Sequence, residues 1–508
     1  MDTVRPTASG VVGDALAAAG HYLPLPCRGR HTCGKCGVYV AGALAPPDPV
    51  EADLLHRTSA PALPGYEFRL ACLARLTGEA SVIVSSIAGV AVAGARADLA
   101  VYDGDDPDGL GVAVDIGTTT VTVLAFRLGD HAVLADVSQL NHQSVHGADV
   151  LSRIDAAGRV GVGALRDLIV GQLDAMIAEA LARAGVSPAA VRRITITGNT
   201  TMLHLLTGRP VASLGRSPFT PDTLFGYGLA AGELFPRLGA AELYLPPAIS
   251  AYVGPDIVCG LLATGLGESG SPELLIDVGT NGEMALAAGG RLWCCATAAG
   301  PAFEGAEISA GMPALPGAID DVWADDAARG EPPLAYSTIG RVRAKGLCGT
   351  GLIAAVDALL RMGIIDDTGA MAPPGVTLGD SRIGLTPADV RQLQLAKAAI
   401  AAGVDTLLHE AGLTPADVAV LHLAGGFGSY LAPGPAAGIG LIPAALAERA
   451  TPAGNTALSG AALLATSAAS RRHAEALAAR ATEVPLATHP VFLDRYIEDM
   501  AFRSDDDG

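Results

Sequence analysis

An α/β fold with an internal duplication, set behind a small cysteine-bearing α+β module, is predicted by three features of this 508-residue sequence. Val112-Ala-Val-Asp-Ile-Gly-Thr-Thr-Thr120 is echoed by Leu274-Leu-Ile-Asp-Val-Gly-Thr-Asn-Gly282. One such strand–turn is a weak signal, but two copies, each followed by β-rich sequence, indicate a duplicated half-domain. At the front, Cys27, Cys33 and Cys36 stand at C-x5-C-x2-C, and Cys72 follows after 35 intervening residues.

The cysteine module is expected over residues 1–88. Val12–Ala19 reads as a short helix closed by Gly20, followed by the glycine-broken loop Cys27-Arg-Gly-Arg-His-Thr-Cys33-Gly-Lys-Cys36. Gly29 and Gly34 permit turns that aim backbone N–H groups at sulfur. Val38-Tyr-Val40 reads as a strand, and Cys72 comes just before another, Ala80–Val84. Three thiolates on one loop and a fourth on a return segment suit a [2Fe–2S] centre. A structural zinc site also takes four cysteines, but usually pairs C-x2-C with C-x2-C, so the partition favours iron–sulfur. The five-residue first gap makes the loop similar to that of adrenodoxin-like ferredoxins, which have a β-grasp fold. Such domains open on a β-hairpin; only Met1–Val11 precede the helix, so that hairpin is expected to be mostly absent. Arg28, Arg30, His31 and Lys35 make the loop locally basic.

Residues 89–110 are small or acidic and read as a linker. The first half of the duplication is expected over 111–250 and the second over 251–508. In the first, Val112–Ile116 is a buried strand that Gly117-Thr-Thr-Thr120 turns sharply into Val121–Arg127. Such a turn cradles phosphate: Gly117 lets the backbone approach, and Thr118 and Thr119 offer hydroxyl and N–H donors. Asp115, at the strand end, is placed to hold a magnesium ion through water. Asp277, Gly279, Thr280 and Asn281 repeat these roles. Val418–Leu423 is a strand that runs into Ala424-Gly-Gly-Phe-Gly428, where Gly425 and Gly426 let a nucleoside lie against bare backbone. Arg193–Thr197 ends in another turn, Gly198-Asn-Thr-Thr-Met202. Leu165, Leu168, Ile169, Leu173, Met176, Ile177 and Leu181 recur at helical spacing before Gly185. Thr386-Pro-Ala-Asp389 starts a helix that Gly412 ends.

Composition narrows the function classes. The net charge of −19 disfavours nucleic acid and anionic membranes as partners. There is no charged n-region ahead of an apolar core and no apolar run long enough to span a bilayer, so a cytoplasmic location is expected. Eight cysteines in such a chain imply reduced thiols, the clustered ones binding metal. Cys259, Cys294, Cys295 and Cys348 lack cluster spacing and read as buried thiols. The acidic runs Asp103–Asp108 and Asp505–Asp507 read as solvated linker and tail.

The phosphate-1, phosphate-2 and glycine-rich adenosine turns occur in the order that resembles actin, the sugar kinases and the large heat-shock chaperones. This implies ribonuclease-H-like halves around an ATP cleft. Several strings narrow the resemblance: Asn141-His-Gln-Ser-Val-His-Gly-Ala-Asp-Val-Leu-Ser-Arg-Ile154, Gly198–Met202, Ile276-Asp-Val-Gly-Thr-Asn-Gly-Glu283, Gly300-Pro-Ala-Phe-Glu-Gly305, Lys345-Gly-Leu-Cys-Gly-Thr-Gly351 and Gln394-Leu-Ala-Lys-Ala-Ala-Ile400. With the cysteine module, they resemble the reductive activators of corrinoid proteins. That resemblance implies an electron passed from a [2Fe–2S] cluster to the corrinoid protein of a methyltransferase system, reducing cobalt(II) to cobalt(I). An ordinary cluster near −400 mV does not readily reach cobalt(I), so ATP hydrolysis would make the step possible. It further implies an electron donor, such as a ferredoxin or a flavoprotein reductase, and leaves a homodimer open. Glu304 is the candidate to orient the attacking water; Asp149 and Asp256 are candidates to complete the cleft or to cap helices. Lys397 is a candidate for the base or ribose, or a solvated surface lysine. Two alternatives remain at this point: an ATP-binding iron–sulfur redox sensor, and an activator of a different redox enzyme.

Overall fold

The computed structural model describes residues 2–6, 10–18, 31, 36–57, 63, 65–84, 101–147, 149–239, 241–305, 307–325 and 332–502. Cys27 and Cys33, the glycines between the cluster cysteines, residues 85–88 of the expected cysteine module, residues 89–100 of the expected linker and the acidic tail lie outside them. Among the described residues, no helix is long and apolar enough to cross a membrane.

The cysteine module contains β1 (Asp2–Val4), β2 (Gly10–Val11), α1 (Val12–Ala18), β3 (Gly37–Leu44), α2 (Pro49–Arg57), β4 (Glu67–Leu70) and β5 (Arg75–Val84). Its sheet runs β1-β5-β3-β4. The strands β1 and β2 lie antiparallel to β5 in one continuous register, Asp2 opposite Val84 and Gly10 opposite Leu76. Val12, Leu16, Val38, Val40, Leu70, Leu76 and Val82 form a core that also takes in Cys36 and Cys72.

The next stretch comprises β6 (Leu110–Ile116), β7 (Thr120–Arg127), β8 (Val133–Leu140), α3 (Val150–Val160), α4 (Val162–Arg183), β9 (Val191–Gly198), α5 (Thr200–Thr207), β10 (Tyr227–Ala230), β11 (Glu242–Leu245) and α6 (Pro255–Thr264). Its sheet order is β10-β11-β9-β6-β7-β8. The strands β6, β7 and β8 form an antiparallel meander, while β9 and β11 add in parallel on the other side of β6.

The same plan then recurs. It uses β12 (Glu273–Val278), β13 (Gly282–Ala288), β14 (Arg291–Thr297), β15 (Ala318–Ala324), β16 (Leu334–Thr338), β17 (Gly346–Leu347), α7 (Gly349–Arg361), β18 (Val376–Thr377), β19 (Gly384–Leu385), α8 (Pro387–Ala411), β20 (Val420–Ala424), α9 (Gly425–Gly428), α10 (Pro433–Gly438), β21 (Ala450–Gly454), α11 (Thr456–Thr466), α12 (Ala468–Arg480), β22 (Ala481–Glu483) and α13 (Pro490–Glu498). The sheet order is β21-β20-β12-β13-β14-β22. Here β12, β13 and β14 form the meander, and β20 and β21 add in parallel beside β12. The near-continuous apolar run of β6 follows from burial on both faces of a sheet covered by helices.

Local chemistry sets the element ends. Thr386 and Asp389 form a reciprocal capping box at the start of α8, Pro387 occupies the first turn, and Gly412 closes it at φ 66°. The helix α8 is buried on nearly all sides, which corrects the reading of Lys397. That side chain is fully buried, donates to the Ala501 carbonyl at 2.6 Å and lies over the Phe502 ring, so it reaches neither solvent nor nucleotide. Asp149 caps α3, accepting from the Ser152 N–H at 2.8 Å, and takes no part in the cleft. Residues 101–109 lie against the duplicated body: Asp103 pairs with Arg193 and Asp106 with Arg192.

Candidate functional site

The two phosphate turns are connections within the two meanders, β6 to β7 and β12 to β13, and they meet. Thr119 and Thr280 approach to 2.9 Å between hydroxyl oxygens. Glu304, at the end of a short 3-10 helix (Pro301–Glu304), accepts from Thr119 Oγ1 at 2.8 Å and from Thr280 Oγ1 at 2.9 Å. The glycines differ in why they are needed. A β-carbon on Gly117 would stand 2.6 Å from the Thr120 carbonyl oxygen, so the turn itself excludes a side chain. On Gly279 it would meet nothing closer than 3.7 Å, and on Gly426 nothing within 4 Å. Neither has a positive φ. Protein packing therefore does not demand glycine at these two positions, whereas close approach of a ligand to the backbone would.

The first turn is held from beneath by the Asn141–Ile154 string. Asn141 Nδ2 donates to the Gly117 carbonyl at 2.9 Å. Arg153, fully buried, donates to the Thr118 carbonyl at 2.5 Å and to the Gly147 carbonyl at 3.0 Å. Burial lowers its pKa to about 10. Asn199, the N-cap of α5, holds the Thr118 hydroxyl with its amide at 3.2 Å while accepting from the Met202 N–H at 3.0 Å. Around the cleft, Gly425 has φ 88°, and a β-carbon there would stand 2.4 Å from Asp277 Oδ1. Only glycine brings the nucleoside turn this close to the second phosphate turn.

Behind the turns stands an acidic cluster. Asp115, Asp256 and Asp277 keep part of their surface open to the cleft but are set deep among protein atoms. Burial raises Asp115 to about 6, against a hydrogen bond from Asn455 Nδ2 at 2.9 Å that lowers it. Burial and then the Asp115 charge raise Asp256 to about 7; burial, Asp256 and Asp115 raise Asp277 to about 8. Glu283 is pushed well up by burial, then by Asp256 and Asp277. Four carboxylates that oppose one another's ionisation fit a hydrated divalent cation, which would relieve the repulsion. Among the described residues no three His, Cys, Asp or Glu side chains are close enough to ligate a metal ion directly.

In the cysteine module, Cys36 just before β3 and Cys72 just after β4 are brought together by the Ala71 N–H, which donates to the Cys36 carbonyl at 2.8 Å. Their sulfurs are 3.2 Å apart as free thiols, buried, with His31 Nδ1 at 3.4 Å from Cys72 Sγ. As thiols the two share a hydrogen bond from Cys36 to Cys72; as thiolates at this spacing they would need a cation beside them, so soft sulfur donors brought together in this way are compatible with an iron–sulfur group. Glu51 and Arg69, both 1% exposed, form a two-pronged ion pair behind Cys72. Glu51 also accepts from the Leu70 N–H at 3.0 Å.

The structure brings several of the predicted residues together: Thr119, Thr280 and Glu304 by hydrogen bonds, Asp115 and Asp277 as mutually interacting charges, and Gly425 against Asp277. Asp256 joins them. Sequence reasoning missed Glu283, Arg153, Asn199 and Asn455. One signal pointed to the asparagines: Gly198-Asn-Thr200 recurs as Gly454-Asn-Thr456, each an Asn cap between a strand and a helix.

The duplicated sheets and paired phosphate turns define an actin-like ATPase fold, and comparison with known proteins agrees. Residues 271–507 match the model of the C-terminal domain of RACo, the ASKHA domain, and 110–269 match that of the RACo middle region. The chain is 31% identical over 422 residues to the corrinoid activation enzyme RamQ of Eubacterium limosum, covering 77% of this chain and 70% of that protein. It is 28% identical over 379 residues to the [Co(II) methylated amine-specific corrinoid protein] reductase of Methanosarcina barkeri, covering 68% of each. A solved reductive activator for a corrinoid, iron–sulfur protein superposes with a TM-score of 0.72 at 26% identity, covering 97% of this chain and 95% of that one. The chain belongs to the family of reductive activators of corrinoid proteins.

Proposed function

We propose that this chain is an ATP-hydrolysing reductive activator that delivers single electrons from a [2Fe–2S] cluster to a corrinoid protein, returning cobalt(II) to cobalt(I). The observation that carries the ATP part is the contact of Thr119, Thr280 and Glu304, which closes both phosphate turns around one point. Residues 1–88 are read as the electron-carrying ferredoxin-type domain, 89–110 as linker, and 111–250 and 251–508 as the two ATPase halves.

In this reading, Gly117–Thr119 and Gly279–Asn281 hold the β- and γ-phosphates through hydroxyls and N–H groups, and Gly425 and Gly426 back the adenosine. Asp115, Asp256, Asp277 and Glu283 would hold hydrated magnesium, which supplies positive charge against the transferring phosphoryl group. Glu304 orients a water whose oxygen bonds to the γ-phosphorus as the bond to the β–γ bridging oxygen breaks, leaving ADP with the electron pair. Cys27, Cys33, Cys36 and Cys72 would hold the cluster, which supplies one electron at a time. The relatives' printed names support reduction of a corrinoid protein, and the buried approach of Cys36 and Cys72 supports a metal group between the cysteines. The partners are a corrinoid protein of a methyltransferase system and an electron donor such as a ferredoxin or flavoprotein reductase.

The test is anaerobic appearance of the cobalt(I) absorbance on a cobalt(II) corrinoid protein, with a chemical reductant, in the presence and absence of ATP. Cobalt(I) formation should require ATP. Equal rates in both conditions would show that hydrolysis does not drive the transfer.

A further inference from the structure

We propose that Phe427 is a positioning residue for phosphoryl transfer, holding Glu304 against the phosphate turns through a ring stack on Phe303. The inference rests on the reading of the cleft as an ATPase site. Three glycine-rich strings, far apart in the chain, meet at this contact. Gly300–Gly305 supplies Phe303, the residue immediately before Glu304. Lys345–Gly351 supplies Gly349 at the start of α7, and Ala424–Gly428 supplies Phe427 in the nucleoside turn. The two rings stack with centroids 4.9 Å apart and planes at 15°. A β-carbon on Gly349 would lie 2.0 Å from the Phe303 carbonyl oxygen and 2.7 Å from Phe427 Cε2. Even alanine there would displace the Phe303 backbone or the Phe427 ring.

The geometry places Phe427 between two functions. Its own turn touches Asp277 through Gly425, and Gly426, the residue before it, offers bare backbone to a ligand. The turn is internally braced, since the Ser429 hydroxyl donates to the Gly425 carbonyl at 2.7 Å and the Tyr430 N–H to the Phe427 carbonyl at 3.0 Å. On the other side Phe303 is 2% exposed, so its ring has no room to move independently of the ring stacked on it. Whatever presses on Gly426 therefore reaches Glu304 in two steps, through Phe427 and then Phe303. Phe427 contacts the machinery only through other residues, which makes its role one of alignment.

The experiment is ATPase kinetics on the full chain for Phe427→Leu, Phe427→Tyr, Glu304→Gln and the double variant Phe427→Leu/Glu304→Gln, each checked by thermal unfolding. Phe427→Leu should lower kcat by about tenfold to a hundredfold, as expected when a reacting group is misplaced by a fraction of an ångström to an ångström, with a much smaller change in KM. Phe427→Tyr, which keeps the ring, should restore kcat. The double variant should be no slower than Glu304→Gln alone, because the effect of Phe427 passes through that carboxylate. Wild-type kcat in Phe427→Leu, a loss confined to KM, or multiplied losses in the double variant would each overturn the inference. Should Phe427→Leu fail to fold, Phe427→Met carries the same test. An unmodified chain without ATPase activity would instead overturn the reading on which the inference rests.

Discussion

Thr119 and Thr280 lie 161 residues apart in sequence and 2.9 Å apart in space, and both donate to the carboxylate of Glu304. Two hydroxyl protons serve three short oxygen–oxygen contacts, so donating both to Glu304 leaves none for the contact between the threonines. A water or phosphate oxygen entering here would meet a carboxylate acceptor and two adjustable hydroxyls. Glu304→Gln keeps the shape and one acceptor oxygen but removes the charge and the proton acceptor. Hydrolysis should fall on the order of 10²-fold with nucleotide affinity little changed. Steady-state ATPase assays with calorimetric binding check this; an unchanged kcat would remove Glu304 from the mechanism.

The acidic cluster predicts a conflict between stability and activity. A carboxyl raised in the folded state contributes stability that is present below its unfolded pKa, near 3.9, and lost as pH rises through its folded pKa, about 8 for Asp277. Asp277→Asn removes that loss. In metal-free protein, Tm at pH 8 should rise by roughly 2–4 °C, with little gain near pH 4. Hydrolysis should fall by 10²-fold or more, because the phosphoryl charge loses part of its metal clamp. Asp277→Ala should likewise stop cobalt(I) formation while the cluster remains fully reducible. A variant that is less stable than the parent at pH 8 would mean that Asp277 carries a structural hydrogen bond.

The Glu51–Arg69 pair makes a separate prediction for the cysteine module. Arg69 is buried, and Glu51 is bonded both to its guanidinium and to the Leu70 N–H, two residues before Cys72. Glu51→Gln leaves the buried guanidinium only the exposed Glu67 carboxylate, 3.4 Å away, and breaking a buried pair costs up to about 3–5 kcal/mol. Iron content should drop by more than half while nucleotide binding is unchanged. Full iron loading would show that this pair does not position Cys72.

What was legible in the sequence was local chemistry. The Thr386–Asp389 capping box, the Gly412 stop and the repeated strand–turn each depend on residues within a few positions of one another, and each was found in place. What was not legible depends on distance and on enclosure. Asn455 donates to Asp115 across 340 residues, and no spacing rule reaches that far. Lys397 sits in an Ala-rich helix whose pattern fits a solvated face as well as a helix enclosed on every side, and only the packed structure distinguishes the two. Arg153 shows the same limit: its string was conspicuous, but one of the two carbonyls it grips, that of Thr118, belongs to the phosphate turn 35 residues earlier.

Residues 101–109 lead from the cysteine module into the duplicated body, and Arg193 holds them there. Arg193 donates to Asp103 Oδ1 at 2.7 Å and to the Thr466 carbonyl at 2.7 Å, and its guanidinium lies over the Tyr102 ring. Asp103 accepts in addition from the Ala468 N–H at 2.6 Å, at the first turn of α12. Against the burial that would raise it, the Ala468 N–H and Arg193 hold the Asp103 carboxyl below the usual range. One arginine from the first sheet thus ties the end of the linker to the junction of α11 and α12 in the second half. This knot is one route by which nucleotide-driven motion between the halves could reach the cysteine module, beside the direct Asp14–Arg341 ion pair. Arg193→Met should leave ATPase activity within about threefold, since no cleft residue is touched, and surface-proximal substitutions of this kind rarely unfold a chain of this size. Iron content and cluster reduction should match the parent. Cobalt(I) formation per ATP hydrolysed should fall by about tenfold or more. A variant that hydrolyses ATP and reduces cobalt in the parental ratio would show that coupling runs by another route.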